Sequence, residues 1–171
     1  TLQEGINASR RDGMIDFQVF ATDTDPHAIE IAREGRYLSS IASDVSPERL
    51  EEFFVEEGDT FRIHQDIRNS VIFARHDITI DPPFSHLHIL DCRLLYVHLT
   101  TEIQKDLIPL FAYVLNPGGI FLPGTSETLG EDATAFSVLD RTWHIYQRKA
   151  GDLQPILPLD LPRAFSMHKR P

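Results

Sequence analysis

Cysteine is nearly absent: Cys92 is the only one in 171 residues. No intramolecular disulfide can form, and a reducing, cytoplasmic setting is the expectation. Basic side chains are also scarce, 16 against 26 acidic ones, for a formal net charge of −10. A nucleic-acid binder needs a basic footprint, so that class is disfavoured. Long apolar runs are missing. The longest, residues 107–115, contains Pro109 and falls short of the roughly 18 residues a membrane helix needs. The opening stretch TLQEGINASRRDG has no apolar h-region and does not read as a secretory signal. Neither the P-loop pattern GxxxxGK(S/T) nor GxGxxG occurs, so no phosphate-cradling glycine loop is expected.

What is present is a globular composition. Apolar residues make up 42% of the chain, enough for a buried core. The length suits one domain with a short tail. Residues 150–171 hold four of the eleven prolines and little periodicity, so the expected organisation is a domain over 1–149 and a linker or tail over 150–171.

Along the chain, residues 17–21 (FQVFA) read as a strand. Pro26 suits the first turn of a helix with Asp25 as its N-cap, and Gly35 suits its C-cap. A second helix starts at Ser46-Pro47 with Leu50, Phe53 and Phe54 on its apolar face. Residues 60–64 alternate as a half-buried strand, and 71–74 (VIFA) are continuously apolar, as in a buried parallel strand. Residues 86–92 are a further strand. Thr100 or Thr101 caps a helix bearing Ile103, Leu107, Leu110, Phe111 and Val114 on one face, with Pro109 inside it. The run Asn116-Pro117-Gly118-Gly119 ends that helix, and residues 120–122 form a buried strand. Residues 136–139 and 143–146 pair around Asp140-Arg141. Strands alternating with helices imply an α/β class with a mostly parallel sheet and an antiparallel hairpin at one edge.

In open α/β sheets, ligands lie beyond the carboxyl ends of strands. Three such ends carry polar residues. Asp23 follows the first strand; its carboxylate can hold a ribose diol or serve as a cap, whereas Asp25 reads as the cap. His76-Asp77-Ile78 follows VIFA and could meet an adenine edge, although the pattern alone fits a solvated strand end. Asp91-Cys92-Arg93 follows the next strand; Arg93 can face a cleft or pair with Asp91. His86 and His88 lack companions for a metal ligand set. His98 is flanked by apolar residues, and Ser126 has no partnered histidine in sequence that would mark it as a nucleophile.

These segments carry a family resemblance. FQVFATDTDPHAIEIAREGRY resembles the second-strand segment of CheR-type chemotaxis receptor methyltransferases. IRNSVIFARHDITIDPPFS, DCRLLYVHL, LIPLFAYVLNPGGIFLPGTSETLG and FSVLDRTWHIYQRK continue the likeness in order, over roughly residues 17–149. The resemblance implies a Rossmann-like class I methyltransferase sheet with a small antiparallel insertion at about 53–67. It implies S-adenosylmethionine as cofactor, S-adenosylhomocysteine as product, and glutamate side chains on receptor cytoplasmic helices as acceptors. Asp23 then matches the ribose acid, Asp77 and Ile78 the adenine pocket, and Arg93, Leu94 and Leu95 the segment beside cofactor and active site. No residue stands out as catalytic; Arg93 and His98 are the candidates.

The sequence departs from the family pattern in several places. Leu94 stands where the family has an Asn beside the cofactor, and His98 where a Tyr is usual. The glycine-rich first strand and the N-terminal helical domain have no counterpart, so the chain reads as beginning inside the cofactor domain. An uncovered sheet edge would follow, with possible self-association. The tail resembles the linker of fused CheB/CheR-type regulators. The alternative function is a degenerate scaffold that binds receptor or tethers sensor domains without catalysis. With a net charge of −10, attraction to acidic receptor helices is expected from clusters such as Arg62, Arg68 and Arg75.

Overall fold

The apolar run at 17–21 forms a strand displaced by two residues, β1 (Val19–Asp23). The computed structural model describes residues 4, 17–93, 95, 100–124, 129 and 133–151. The expected tail, apart from Ala150 and Gly151, lies outside the described residues, as do Leu94, His98 and Ser126. The chain divides into two units, Thr1–Asp77 and Ile78–Pro171.

In the first unit, helix α1 (Pro26–Glu34) follows β1. The Asp25 side chain accepts the His27 N–H, Pro26 occupies the first turn, and Gly35 closes the helix at φ 60. That left-handed geometry suits a residue without Cβ. β5 (Val71–Arg75) pairs with β1 in parallel, Val19 opposite Val71 and Asp23 opposite Arg75. Arg33 of α1 donates to the Phe73 carbonyl at 2.8 Å and fixes the helix on this pair. The VIFA strand is parallel, but it is not buried on both faces: Phe20 and Ile72, opposite each other in register, are 46% and 45% exposed.

Between α1 and β5 lies a three-stranded antiparallel sheet, in the order β2 (Arg36–Leu38), β4 (Thr60–Ile63), β3 (Phe54–Glu57). β2 follows α1 directly and precedes a 3-10 turn at Ser39–Ser43. Helix α2 (Pro47–Phe53) is capped by Ser46 as the sequence implies, but Phe54 leaves it to open β3 opposite Ile63. The reason is aromatic packing: the Phe54 ring meets those of Tyr37 and Phe61 edge-on, at 5.9 and 6.5 Å. Helix α3 (Gln65–Asn69) then returns the chain to β5.

The second unit is a four-stranded sheet in the order β6 (Leu87–Asp91), β7 (Leu115–Leu122), β9 (Ile145–Arg148), β8 (Phe136–Asp140). β6 and β7 are parallel; the other pairs are antiparallel. Helix α4 (Thr101–Val114), capped by the Thr100 hydroxyl, packs on β7. Its Leu107, Phe111 and Ala112 are fully buried, and Pro109 is exposed. Phe111 and Phe136 flank Phe121 with ring centroids 4.9 and 5.5 Å away. Each fully buried side chain of this size contributes about 2–3 kcal/mol.

The NPGG run ends α4, as the sequence implies, yet it lies inside β7 rather than in a loop. Leu115 faces Leu87, and the next register pair is Ile120 with Ile89, so the extra residues form a bulge. Asn116 donates to the His86 carbonyl at 3.1 Å and Gln147 to that of Gly118 at 3.1 Å. A Cβ on Gly119 would stand 2.9 Å from the Asn116 carbonyl oxygen and 3.3 Å from that of His88. The hairpin turns later than expected: Asp140 accepts the N–H groups of Thr142 and Trp143 at 2.7 and 2.9 Å. Trp143 therefore sits in the turn, 65% exposed, and β9 begins at Ile145.

Candidate functional site

The first unit brings two acids to one end of a parallel pair. β1 and β5 end side by side, and the His76 N–H donates to the Asp23 carbonyl at 3.0 Å. Asp77 follows at once, half-buried. Asp23 Oδ1 accepts the Asp25 N–H at 2.8 Å, and Asp25 Oδ1 accepts the His27 N–H at 2.8 Å. Each acid thus accepts one backbone N–H through Oδ1: Asp25 caps α1, while Asp23 shapes the loop at the end of β1. Arg75 donates to the Thr24 carbonyl at 3.1 Å and holds the same loop from the neighbouring strand.

The second unit brings another set of residues to the carboxyl ends of β6 and β7. Asp91 lies opposite Leu122, and the Cys92 N–H donates to the Leu122 carbonyl at 2.9 Å. Arg93 folds back on Asp91, with Nε 3.0 Å from both carboxylate oxygens and Nη2 2.7 Å from Oδ2. The hydrogen bonds and the charge of Asp91 push the Arg93 pKa up further. Of its two sequence-level readings, the structure places Arg93 in the pair with Asp91, at the solvent-facing strand end. Leu95 is 37% exposed and its N–H donates to the Cys92 carbonyl at 3.1 Å. Ile78 packs against the core of this unit.

The arginines expected to draw acidic partners are engaged within the fold. Arg68 donates to the Arg33 carbonyl at 2.6 Å and Arg62 to that of Glu34 at 3.3 Å, so both satisfy the carboxyl end of α1. Arg36 and Arg62 also meet Glu57, at 2.9 and 3.8 Å. Among the described residues no group of three or more His, Cys, Asp or Glu could hold a metal ion, and no helix is long and apolar enough to cross a membrane. Sequence reasoning missed His144 and Tyr146, whose side chains meet the Gly124 carbonyl and the Leu129 N–H just beyond β7. Their partners are distant in sequence and no motif marks them.

Comparison with known proteins adds to this geometry. The family model "CheR methyltransferase, SAM binding domain" matches residues 3–145. A 104.1 kDa protein of Rhodobacter capsulatus, described as uncharacterized and in the hypE 3' region, is 35% identical over 139 residues, 81% of this chain and 15% of that protein. A chemotaxis protein methyltransferase of Listeria monocytogenes is 31% identical over 113 residues, 66% of this chain and 43% of the relative. Its counterpart in Escherichia coli is 26% identical over 136 residues, 74% and 46% respectively. The chain thus spans less than half the length of each of these relatives.

Proposed function

This chain belongs to the CheR methyltransferase family through its SAM-binding domain, and from that premise we propose that it serves S-adenosylmethionine-dependent methylation of glutamate carboxylates on chemotaxis receptors. The fold is Rossmann-like and the cofactor is S-adenosylmethionine. The observation that carries the reading is the placement of Asp23 and Asp77 at adjacent carboxyl ends of parallel strands, where nucleotides lie in such sheets. That donor set suits the nucleoside half of the cofactor. Asp23 would receive the ribose diol, and Asp77 with Ile78 would line the adenine edge. Leu94 and Leu95 belong to the segment proposed beside the cofactor.

When bound, the cofactor supplies a methyl group on a sulfonium, a good leaving centre. A glutamate acceptor is already ionised at neutral pH, so no general base is needed. The protein's contribution is in-line positioning and exclusion of water. The proposed domain spans 1–149; its antiparallel insertion, expected near 53–67, consists of β3 and β4 together with β2 from Arg36–Leu38; the tail serves as a linker, and the setting is cytoplasmic.

Calorimetric titration of the natural full-length protein with S-adenosylmethionine tests the proposal, together with transfer of labelled methyl groups to a receptor cytoplasmic fragment. Saturable binding and incorporation are expected. No binding at millimolar cofactor would sink the reading. Receptor binding without incorporation would instead favour the scaffold alternative, which rests on Leu94 and His98 standing at positions where an Asn and a Tyr are usual.

A further inference from the structure

Beyond Leu122, where β7 ends, the chain passes through Pro123, which is fully buried, and Gly124, at φ 129. The His144 Nδ1 lies 3.2 Å from the Gly124 carbonyl oxygen. A carbonyl can only accept, so Nδ1 carries the proton in this contact. His144 itself is held at φ 50 in the hairpin turn, a conformation that few residues other than Gly and Asn adopt readily. Two residues on, Tyr146 is buried in the core, and its hydroxyl oxygen accepts the Leu129 N–H at 3.3 Å. The hairpin thus grips the chain leaving β7 at two points, Gly124 and Leu129. Both grips belong to the β-strand layer that carries Asp91 and Cys92, since the Cys92 N–H bonds to Leu122, two residues before Gly124.

We propose that His144 is a positioning residue for methyl transfer, with Tyr146 as its second anchor: together they set the backbone at the carboxyl end of β7 against which the acceptor carboxylate is aligned. The proposal rests on the methyltransferase reading. The clamp lies beside the Asp91–Arg93 strand end, and neither of its contacts is made by a residue proposed for the cofactor (Asp23, Asp77, Ile78, Leu94 or Leu95). Its loss is therefore expected in acceptor alignment, with cofactor affinity unchanged.

Three variants separate the hydrogen bonds from the backbone geometry. His144→Gly keeps the left-handed turn and removes the donor. His144→Asn keeps the turn and restores a donor. Tyr146→Phe removes only the acceptor oxygen. In the natural full-length protein, His144→Gly is expected to lower kcat/KM for a receptor cytoplasmic fragment on the order of tenfold, as loss of alignment does, with the calorimetric Kd for S-adenosylmethionine unchanged. His144→Asn should recover most of that loss. Amide exchange at Leu129 should accelerate in Tyr146→Phe. Wild-type kcat/KM in His144→Gly would overturn the proposal, as would a parallel loss in the Gly and Asn variants. If the wild-type protein fails to bind cofactor, the functional reading falls with it. Amide exchange then still judges the grip: unchanged exchange at Leu129 in Tyr146→Phe would overturn it as well.

Discussion

The guanidinium of Arg68 donates to the backbone carbonyl of Arg33 at 2.6 Å, across 35 residues of sequence. The contact closes α1 from outside its own segment, next to Gly35, where a Cβ would stand 3.1 Å from Arg68 Cδ. Arg68→Ala is expected to lower unfolding free energy by about 1–2 kcal/mol by leaving a helix-end carbonyl without its charged donor. Gly35→Ala should cost about 1–2 kcal/mol for its left-handed backbone. The two losses should sum to more than the double variant shows, because removing Arg68 relieves the new crowding. Urea melts of the four proteins check this.

The two neighbouring acids Asp23 and Asp25 should separate cleanly. Asp25→Ala removes the cap of α1 and is expected to cost about 1 kcal/mol in a thermal or urea melt. Asp23→Asn retains an oxygen for the Asp25 N–H and should melt like the parent. Its affinity for S-adenosylmethionine should fall about tenfold or more, since a charge-assisted hydrogen bond is weakened. Equal cofactor binding in Asp23→Asn and parent would remove Asp23 from the site.

Glu48 gives a pH signature in the first turn of α2. Its own backbone amide, and then the Ser46 hydroxyl, hold the carboxyl below its ordinary range. A carboxyl with a lowered folded-state pKa stabilises the fold above its unfolded value, and that share is lost as pH falls through the folded value. Glu48→Gln should therefore be less stable than the parent at neutral pH. The gap should close in acid, below the lowered pKa. Melting temperatures of both proteins across pH 2–7 measure it.

Gly119→Ala should be among the more damaging small substitutions. The added Cβ meets backbone oxygens of Asn116 and His88, which cannot swing aside as a flexible side chain could. A loss of about 1–3 kcal/mol is expected from overpacking. Phe121→Ala empties the site between Phe111 and Phe136 and should cost about 3–5 kcal/mol. Both are read as shifts in urea midpoint. A midpoint for Gly119→Ala at the parent value would show that the bulge can open.

How much of this was legible in the sequence follows from where the determining contacts lie. The segment from β1 to Gly35 was readable because Asp25, Pro26 and Gly35 punctuate it locally. β2 and α3 were not, since elements of three and five residues carry no period; pairing with β4 and a turn after His64 create them. Phe54 fitted a helical spacing with Leu50 and Phe53, but its cross-strand aromatic neighbours prevailed. The NPGG run reads locally as a stop signal, and only the folded strand, with the Asn116 and His88 carbonyls crowding Gly119, reveals why glycine is needed there. At the candidate site, strand-end logic points to Asp23, whereas Asp77 reads by itself as a solvated strand end and is singled out only by the family resemblance. The partners of His144 and Tyr146 lie 20 and 17 residues away, with nothing in TWHIY to announce them.

The bulge at the start of β7 acts as a length gauge. No loop separates α4 from β7, because Leu115 is both the end cap of the helix and the first residue of the strand. The distance from helix to strand end is thus counted in residues, with the excess stored between Leu115 and Ile120. A deletion of one residue there draws on that store. Only when the store is exhausted would Phe121 turn away from the core and the Leu122 carbonyl from the Cys92 N–H. Small changes in length at this junction should therefore be absorbed before the register beyond Ile120 is lost.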